Sequence, residues 1–363
     1  MDTNDVIFQQ GYVTDRQLLD PFNLRPWLNK AGETMITYVA GHQTVKNENT
    51  GRMERKPVFR NKRVIKNALL RQRDWEQIDN AVVDVMRQPL VGLNDLEAAG
   101  LTTQLDGLGV SLSTYDQISD MSPASVNMSI TPHKAEKDRP VFSPVSVPIP
   151  VITKPFTLDI RTLDASRRNG HEGLDVTGIR VATIKVREAV EEIIFNGSDV
   201  QIGEYKIYGY TNHPNRLADT AGNFGGGDWG TDGNAHKTIS GMIASLIALG
   251  FNGPFGLYVA STQYAQSLNL TGANLSDTQL SVIQRTIPDL KFVRRAPKLA
   301  AGTAVLVQMT KETVDIAIGQ NVVPISWQDY GGLMNEFMVL AAMAPRFRYD
   351  VDGTLGVAHV TGI

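Results

Sequence analysis

The clearest hydrophobic pattern is an apolar stripe at helical spacing in the middle of the chain. The stripe consists of Val176, Ile179, Ala182, Val186, Val190 and Ile193. Positions three or four residues apart lie on one face of an α-helix. Asp175 is a suitable N-cap before the stripe, and Gly197 is a typical residue after a helix end. We therefore predict an amphipathic helix over residues 175–196, roughly 32 Å long at about 1.5 Å per residue.

A shorter helix is predicted to begin near Asp74. This residue is a good N-cap, and Gln77 stands at the capping-box position three residues later. The apolar residues that follow at helical spacing are Trp75, Ile78, Val82 and Val85. Because Pro89 cannot continue a helix, the pattern predicts one amphipathic helix of about 14 residues.

Residues 198–308 alternate between helical and strand-like patterns. A helix over 234–249 is stopped by Gly250, and another helix is expected near 277–285. Strands are expected at GLYVAS, KFVRR and TAVLVQM, and antiparallel strands at residues 313–318 and 333–343. Residues 224–233 are rich in glycine and are expected to form a surface loop with no strand before it. The chain is therefore predicted to mix helices and strands.

Two segments show no sustained periodicity of hydrophobic residues. Residues 1–60 combine polar residues, prolines and isolated aromatic residues, which favours an extended arm. Residues 107–150 are rich in Ser, Thr, Pro and Asp, with short alternating pieces such as SVNMSI and PVSVPIPVI. A long two-stranded loop and an irregular linker both fit this second segment.

Length and composition exclude several classes of protein. A chain of 363 residues is long enough for one to three globular units. The absence of cysteine excludes disulfides and thiolate metal sites. The N-terminal residues lack the basic and apolar regions of a signal peptide. The longest apolar run, Met338–Pro345, is far shorter than the roughly 20 residues of a membrane span, so no membrane partner is expected.

Positive charge is concentrated in one tract between Arg52 and Arg73. Its cations are Arg52, Arg55, Lys56, Arg60, Lys62, Arg63, Lys66, Arg71 and Arg73, against the single acid Glu54. The tract carries a charge of +8, so the rest of the chain carries −11 to give the net charge of −3. Such asymmetry fits contact with a polyanion or with a neighbouring subunit, and it equally fits a solvated or salt-bridged face. Binding to nucleic acid would be independent of sequence, because phosphate contact needs only charge and reach.

No motif for catalysis, cofactor binding or metal binding emerges. The six histidines are dispersed, with no HExxH spacing. The glycine-rich FGGGDWGTDG lacks the GK[ST] ending of a phosphate-binding loop, and its carboxylates lack the terminal glutamate of an EF-hand. No GxSxG elbow occurs, and RNGHEGLD is interpreted as a polar loop. We therefore name no catalytic, cofactor or metal residues and predict that the chain is not an enzyme. An α/β enzyme whose glycine-rich loop covers a pocket is the alternative of a different class.

From about Asn67 onward, ordered segments resemble the encapsulins and, through them, the major capsid proteins of the Hong Kong 97 fold. ALLRQRDWEQIDNAVVDVMR looks like the N-terminal encapsulin helix, and VPIPVITKPFTLDIRTLD is similar to the strand after the extended loop. LDVTGIRVATIKVREAVEEIIFNG resembles the long spine helix of the fold. ISGMIASLIALGFNGPFGLYVASTQYAQSL matches the helix, glycine stop, turn and strand of the family.

The last segment, VDIAIGQNVVPISWQDYGGLMNEFMVLAAMAPRFR, resembles the closing strands of the family. Glu336 and Phe337 fit the family pattern there, whereas Asn321 replaces the usual acid. The first 60 residues are absent from compact encapsulins and resemble the N-arm of phage capsids. This departure favours a phage capsid over a nanocompartment.

The resemblance implies an α+β chain with the Hong Kong 97 capsid fold, divided into four parts. These are an extended N-arm at 1–60, a P-domain at 61–106, 150–199 and 309–363, an E-loop at 107–149 and an A-domain at 200–308. The P-domain would contain the spine helix at about 175–196 and antiparallel strands. The E-loop would lie over a neighbouring subunit, with Lys134, Lys137 and Arg139 as candidate contact residues.

The function that the resemblance implies is that of a major capsid protein of a tailed bacteriophage. Such a chain would assemble through pentamers and hexamers into an icosahedral shell around double-stranded DNA. Its partners would be other copies of itself and the packaged DNA, together with a portal protein and scaffolding or decoration proteins. It would be found in the virion after assembly in the host cytoplasm. The alternative is an encapsulin nanocompartment shell that houses a cargo enzyme.

Overall fold

The chain folds as a mixture of helices and strands in the computed structural model. The structure describes residues 26–28, 34–46, 53–63, 77–78, 80–82, 90–105, 107–118, 139, 142–159, 161, 177–271, 277–329, 334–349 and 353–363. Five helices and eighteen strands are defined within these ranges. The predicted α+β class is confirmed.

One sheet has four strands in the order β4 (Thr102–Gln104), β16 (Val314–Asp329), β17 (Met334–Phe347) and β7 (Val151–Asp159). β17 is antiparallel to both of its neighbours, and β4 is parallel to β16. The predicted strands at 313–318 and 333–343 are thus present and antiparallel. β16 is longer than predicted because irregularities between Ile318 and Val323 shift its register and interrupt the alternating pattern.

The predicted long helix crosses this sheet as α2 (Thr177–Asn196). Its 20 residues make it about 30 Å long. The side chains that it buries include Ile179, Ala182, Val186, Val190 and Ile194. Gly197 ends the helix with φ of +73°, and a Cβ there would lie 2.5 Å from the carbonyl oxygen of Ile207. The predicted helix end is therefore confirmed, whereas the expected N-cap Asp175 lies outside the described residues.

A second sheet has five strands in the order β10 (Leu217–Thr220), β18 (Val357–Thr361), β15 (Thr303–Gln308), β11 (Phe255–Val259) and β14 (Leu290–Arg295). β15 is antiparallel to both neighbours, while the outer pairs are parallel. The helices of this part are α3 (Asn234–Ala248), α4 (Ser261–Ser267) and α5 (Gln279–Thr286). Helices at 234–249 and 277–285 were predicted, and α3 and α5 confirm them.

β18 departs from the division of the chain drawn from the sequence. That division placed residues 309–363 with the spine helix, but β18 pairs with β15 and β10. The apolar residues of VAHVT complete the middle of the second sheet, and Ala358 and Val360 join its core with Leu306. The strand therefore belongs to the same sheet as residues 200–308, because its apolar side chains pack in the core of that sheet.

A single apolar core joins the two sheets. It contains Val339 and Met343 of β17, Ile194 and Phe195 of α2, and Val305 of β15. The ring of Phe195 meets the rings of Tyr210 and Tyr258 edge-on, at centroid distances of 5.6 and 5.2 Å. The two sheets are therefore packed as one body around the C-terminal end of α2.

Small two-stranded sheets complete this body. β8 (Ser198–Ile202) pairs with β9 (Tyr205–Ile207), and β12 (Leu270–Thr271) pairs with β13 (Asp277–Thr278). A helix was predicted to begin near Asp74, and residues 77–78 and 80–82 are helical in the structure. Ile78 and Val82 pack against Ile179. The rest of that helix lies outside the described residues.

Two antiparallel hairpins were only partly foreseen. β5 (Leu112–Ile118) pairs with β6 (Phe142–Pro148), so the two-stranded interpretation is confirmed for these described residues. In the predicted N-arm, β1 (Pro26–Leu28), β2 (Thr34–Lys46) and β3 (Met53–Arg63) form a three-stranded antiparallel sheet. β3 continues across the expected boundary at residue 60.

A buried carboxylate caps the short helix α1 (Val91–Ala98), which the sequence did not predict. Glu191 of α2 accepts hydrogen bonds from the backbone N–H groups of Val91 and Gly92, each at 3.0 Å. Burial raises the pKa of Glu191, although these backbone donors oppose the shift. A Cβ on Gly92 would lie 3.2–3.3 Å from Ile194, Phe195 and Glu191, so a small residue is favoured there. Glu191 thus provides the cap that the local sequence lacks.

We expect Glu191→Ala to lower the free energy of unfolding by about 1–3 kcal/mol, because two buried N–H groups would lose their acceptor. Urea unfolding of dissociated subunits measures this change. The control is Glu188→Ala on the same helix, which removes only the exposed ion pair with Lys185 at 2.8 Å. Equal effects of the two variants would contradict the capping role.

Candidate assembly surfaces

The candidate sites in the described part of the chain are surfaces. Within the described residues, no group of three or more His, Asp or Glu side chains is placed to hold a metal ion. No helix in the same part of the chain is long and apolar enough to cross a membrane. The features that remain are the projecting hairpins, their attachment points and the exposed apolar side chains.

The β5–β6 hairpin is attached to the four-stranded sheet by a buried ion pair. Asp315 of β16 lies opposite Arg346 of β17 in the strand register. The Nε atom of Arg346 donates to Oδ1 of Asp315 at 2.8 Å, and its Nη2 atom donates to Oδ2. The side chain of Asp315 is fully buried. A planar guanidinium that binds a carboxylate through two parallel hydrogen bonds is held in one orientation.

Arg346 also reaches the hairpin itself. Its Nη1 atom donates to Oγ of Ser113 on β5 at 2.9 Å. Two residues further along β5, the Tyr115 hydroxyl donates to the backbone carbonyl of Phe347. Burial is the main cause that raises the pKa of Tyr115, so the phenol stays a neutral donor. These two contacts fix the base of the hairpin against β17.

Two further side chains complete the contacts of Asp315. Thr103 of β4 donates its hydroxyl to Oδ2 at 2.8 Å, and Nη2 of Arg348 lies 3.1 Å from the same oxygen. One carboxylate therefore joins β4, β16, β17 and, through Arg346, β5. We refer to Thr103, Ser113, Asp315, Arg346 and Arg348 as the Asp315 cluster.

Exposed apolar side chains lie on the β8–β9 hairpin, which contacts β6. Val200, Ile202 and Tyr205 are each 40–49% exposed, and Phe142 at the start of β6 is 60% exposed. β9 lies beside β6, and Ile207 packs in the same cluster as Val147. Trp327 on the outer half of β16 is also 44% exposed. Grouped apolar side chains of this size are typical of surfaces that contact another protein.

The structure places only some of the predicted basic residues. Arg55, Lys56, Arg60, Lys62 and Arg63 lie on β3, where Arg55 pairs with Thr44 and Arg60 with Tyr38 of β2. Arg52, Lys66, Arg71 and Arg73 lie outside the described residues. Among the predicted E-loop contact residues, Arg139 is exposed, while Lys134 and Lys137 lie outside the described part. Their roles stay predictions.

The glycine-rich segment 224–233 differs from its predicted form. β10 precedes it, contrary to the expectation that no strand would, because LADT carries no alternating apolar pattern. Trp229 is only 1% exposed and belongs to the core of the second sheet, so the segment is anchored rather than a free surface loop. Gly233 leads into α3 with φ of +80°. The carboxylate of Asp228 accepts the N–H of Gly230 at 2.9 Å, which stabilises this turn.

Two buried histidines flank one arginine in the second sheet. The Nη1 atom of Arg216 donates to the carbonyl of His213 at 2.7 Å, and its Nε atom lies 3.5 Å from Nδ1 of His359. Burial, with a smaller effect of Arg216, lowers the pKa of both His213 and His359 to about 4. Both imidazoles are therefore neutral at pH 7. The sequence showed these histidines only as dispersed residues.

Similarity to solved structures defines the fold. The chain superimposes on the virus-like particle protein of Pyrococcus furiosus with a TM-score of 0.56 and 16% identity, covering 78% of this chain and 98% of that one. The capsid protein of Myoviridae phage XM1 gives a TM-score of 0.56 and 16% identity, with coverages of 76% and 94%. The chain therefore has the Hong Kong 97 fold.

The sequence comparisons identify the family. The Linocin M18 family, described as "Encapsulating protein for peroxidase", matches residues 62–337, and the chain belongs to it. The chain is therefore a shell-forming protein of the capsid and encapsulin type, not an enzyme. The type 1 encapsulin shell protein EncA of Myxococcus xanthus is 25% identical over 295 residues, which cover 80% of this chain and 95% of that protein. A diheme-cytochrome-encapsulin shell fusion protein of Kuenenia stuttgartiensis is 26% identical over 202 residues, which cover 54% of this chain and 49% of that protein. Residues 1–61 precede the family match.

We expect Arg346→Met to destabilise the subunit by about 3–5 kcal/mol, because Asp315 would stay buried without its main partner. Adding Asp315→Leu should recover much of this loss, since the double variant leaves no unpaired acid at this position. Urea unfolding of dissociated subunits compares the two. A double variant as unstable as the single one would contradict this account.

We expect the subunit to lose stability as the pH falls from about 6.5 to about 4, because the unfolded histidines take up protons that buried His213 and His359 resist. His359→Gln removes one of these groups and should make the loss smaller. Urea unfolding at a series of pH values measures the slope. The comparison at pH 7 is the control, and an unchanged slope would contradict the prediction.

Proposed function

We propose that this chain is the major capsid protein of a tailed bacteriophage and that it closes, through pentamers and hexamers, around double-stranded DNA. The observation that supports this function over other shell functions is the basic strand β3. It carries five cations and one acid, Glu54, and most of it precedes the family match that begins at residue 62. The shell-building part of the chain is thus preceded by a sheet with a net positive charge.

Positive charge on a paired strand suits contact with a polyanion. Each phosphate that a Lys or Arg neutralises releases condensed counterions, so such contact is strong at low salt and independent of base sequence. The tract continues beyond β3 with Lys66, Arg71 and Arg73. A luminal position for this tract would place it against packaged DNA. Alternatively, the same basic residues would contact acidic residues of a neighbouring subunit.

The parts of the fold suggest how the shell is built. In this proposal the four-stranded sheet and α2 form the P-domain, the five-stranded sheet forms the A-domain, and β5–β6 is the E-loop. The exposed apolar residues of β8–β9 and β6 would be covered by neighbouring subunits. Each such interface is modest, and its stabilisation is offset by lost rigid-body freedom, so repetition over many subunits must stabilise the shell. The product would be found in the virion after assembly in the host cytoplasm, with a portal protein and scaffolding or decoration proteins as further partners.

An encapsulin nanocompartment that houses a cargo enzyme is the second candidate. The similarity to EncA over 95% of that protein favours it. In that case the inner surface would bind a protein rather than DNA. The basic strand β3 has no evident role in holding a protein cargo, which is why we place this function second.

Particles purified from the native source test the proposal. After treatment with nuclease, we expect the closed shells to retain double-stranded DNA of uniform length, measured by gel electrophoresis of the extracted nucleic acid. Shells that instead contain one co-purifying enzyme and no protected DNA would establish the encapsulin function. Such a result would overturn the phage proposal while leaving the shell-forming role intact.

A matched pair of double variants tests the basic strand itself. Lys56→Gln with Arg60→Gln should lower the dependence of DNA binding on salt, by about 0.9 in the log–log slope for each lost phosphate contact. Lys291→Gln with Arg295→Gln removes the same charges from the exposed side of β14 and should leave the slope unchanged. Binding of dissociated capsomers to a DNA duplex, titrated with salt, provides the measurement. Equal slopes for the two variants would contradict a specific role for β3.

A further inference from the structure

The same three residues, Phe-Asn-Gly, occur at 195–197 and again at 251–253. An asparagine that precedes glycine can lose its side-chain amide, because glycine has no Cβ to hinder attack of its own nitrogen on the asparagine side chain. A third Asn-Gly pair, Asn169–Gly170, lies outside the described residues. Since the two described segments contain the same reacting residues, a difference in their reactivity must come mainly from the fold.

The fold holds the side chain of Asn196 in place. Its Nδ2 atom donates to Oε1 of Glu192 at 2.7 Å, and its Oδ1 atom accepts from the Thr211 hydroxyl at 2.9 Å. The N–H of Gly197 donates to the carbonyl of Ile193 at 2.9 Å. These bonds would have to break before the nitrogen of Gly197 could reach Cγ of Asn196. The first Asn-Gly pair is therefore protected.

The second Asn-Gly pair is exposed, in the turn between α3 and β11. Asn252 and Gly253 are both accessible to solvent. The Nδ2 atom of Asn252 has a contact of 3.5 Å with the carbonyl of Gly250, which is at the outer limit for a hydrogen bond. Among the described residues, no acceptor bonds to the N–H of Gly253. The two reacting groups can therefore approach each other without the loss of a strong hydrogen bond.

A buried side chain contacts the peptide group that would react. The carbonyl of Asn252 and the nitrogen of Gly253 belong to one peptide group, and Nε2 of Gln308 donates to that carbonyl at 2.5 Å. Gln308 is only 8% exposed, and its Oε1 atom accepts from the Thr313 hydroxyl. Because a carbonyl can only accept, the NH₂ group of Gln308 must face Asn252. The donor is therefore held in place from both sides.

This hydrogen bond favours the reactive form of the peptide group. The nitrogen of Gly253 attacks after it loses its proton, and resonance then places much of the negative charge on the carbonyl oxygen. A hydrogen bond to a charged acceptor is roughly twice as strong as one to a neutral acceptor. A donor that is already in place where charge develops lowers the barrier, because its bond is stronger in the transition state than before it.

We propose that Asn252 is a site of covalent modification, where the side-chain amide is lost without an enzyme, and that Gln308 promotes this loss. The nitrogen of Gly253 gives its proton to hydroxide and forms a bond to Cγ of Asn252. The bond between Cγ and Nδ2 breaks, and ammonia leaves with a proton taken from water. Water then opens the five-membered imide at either carbonyl. The products are an aspartate at residue 252 and its isomer, which is linked to Gly253 through the side-chain carboxyl.

The modification would add a negative charge to a turn that is attached to the end of β15. Gly253 lies against Asp289, since a Cβ on this glycine would be 3.2 Å from Cβ of Asp289. The isomer also lengthens the main chain by one carbon between residues 252 and 253. The N–H of Met309 donates to the carbonyl of Pro254 at 2.9 Å, next to the bond from Gln308. We expect the longer main chain to lose one of these two bonds, whatever the shell encloses.

Peptide mass spectrometry of aged protein tests the proposal. The purified protein is incubated at mildly alkaline pH, and the acid products at Asn252 and Asn196 are followed in the same sample. We expect Asn252 to be converted while Asn196 stays intact. In urea the two sites should convert at similar rates, because their surroundings are removed. Equal rates at the two sites in the folded protein would overturn the proposal.

Two variants test the role of Gln308. Gln308→Met removes the donor, and Gln308→Glu removes it while keeping the size of the side chain and an acceptor for Thr313. We expect Gln308→Met to slow conversion at Asn252 about fivefold, as the loss of one hydrogen bond in the transition state implies. Gln308→Glu should slow it further, because its carboxylate repels the developing charge.

Asn196 reports whether each variant is folded, since it is converted only when its own hydrogen bonds are lost. Unfolding would speed conversion at both sites, so it does not imitate the expected decrease at Asn252. If Gln308→Met loses the protection of Asn196, the isosteric Gln308→Glu decides. A variant that keeps Asn196 intact and converts Asn252 at the parent rate would overturn the role of Gln308.

Discussion

The buried pair of Asp315 and Arg346 is the constraint on which the arrangement of the other elements depends. Its two charges lie across β16 and β17, and hydrogen bonds from the same pair reach β4 and β5. Burying an ion pair contributes little net stability, because the loss of hydration offsets the attraction. The ion pair instead fixes an orientation. Because the guanidinium is bound to both carboxylate oxygens, its remaining N–H donors point in one direction. That direction is occupied by Ser113, at the base of the β5–β6 hairpin.

This attachment separates a rigid body from the strands that project from it. The two larger sheets share one apolar core around Phe195, so the body cannot bend between them without opening that core. β5 and β6, by contrast, are held to the body at their base, where Ser113 and Tyr115 bond to β17 and Val147 packs in the same apolar cluster as Ile207. In the proposed shell, the body would set the spacing of subunits and the hairpin would set the direction in which it meets its neighbour.

Much of the body could be predicted from sequence, because periodic burial dominates it. The stripe of α2 and the runs that become β11, β14 and β15 follow from apolar spacing alone. The Asp315 cluster could not be predicted, since its members are joined by strand register between residues as far apart as Ser113 and Arg346. Residues 309–363 were grouped with the spine helix as one range, and no pattern in the sequence indicated that β18 would pair with β15 and β10. The one usable signal that was missed is Asp315 itself, an acid within an apolar run.

The phage and encapsulin functions differ in what the shell encloses, and the residues that we expect to decide this precede the family match. The family match covers 62–337, which includes both larger helices and most of the two sheets that build the shell wall. A wall of this kind can surround either content, because its stability comes from contacts within and between subunits. What the wall holds depends on the surface that faces the interior. In this chain β3 carries five cations and one acid, and almost all of it precedes the family match. In the proposed function, the choice between DNA and a cargo enzyme would therefore depend on this strand and not on the wall that the family shares.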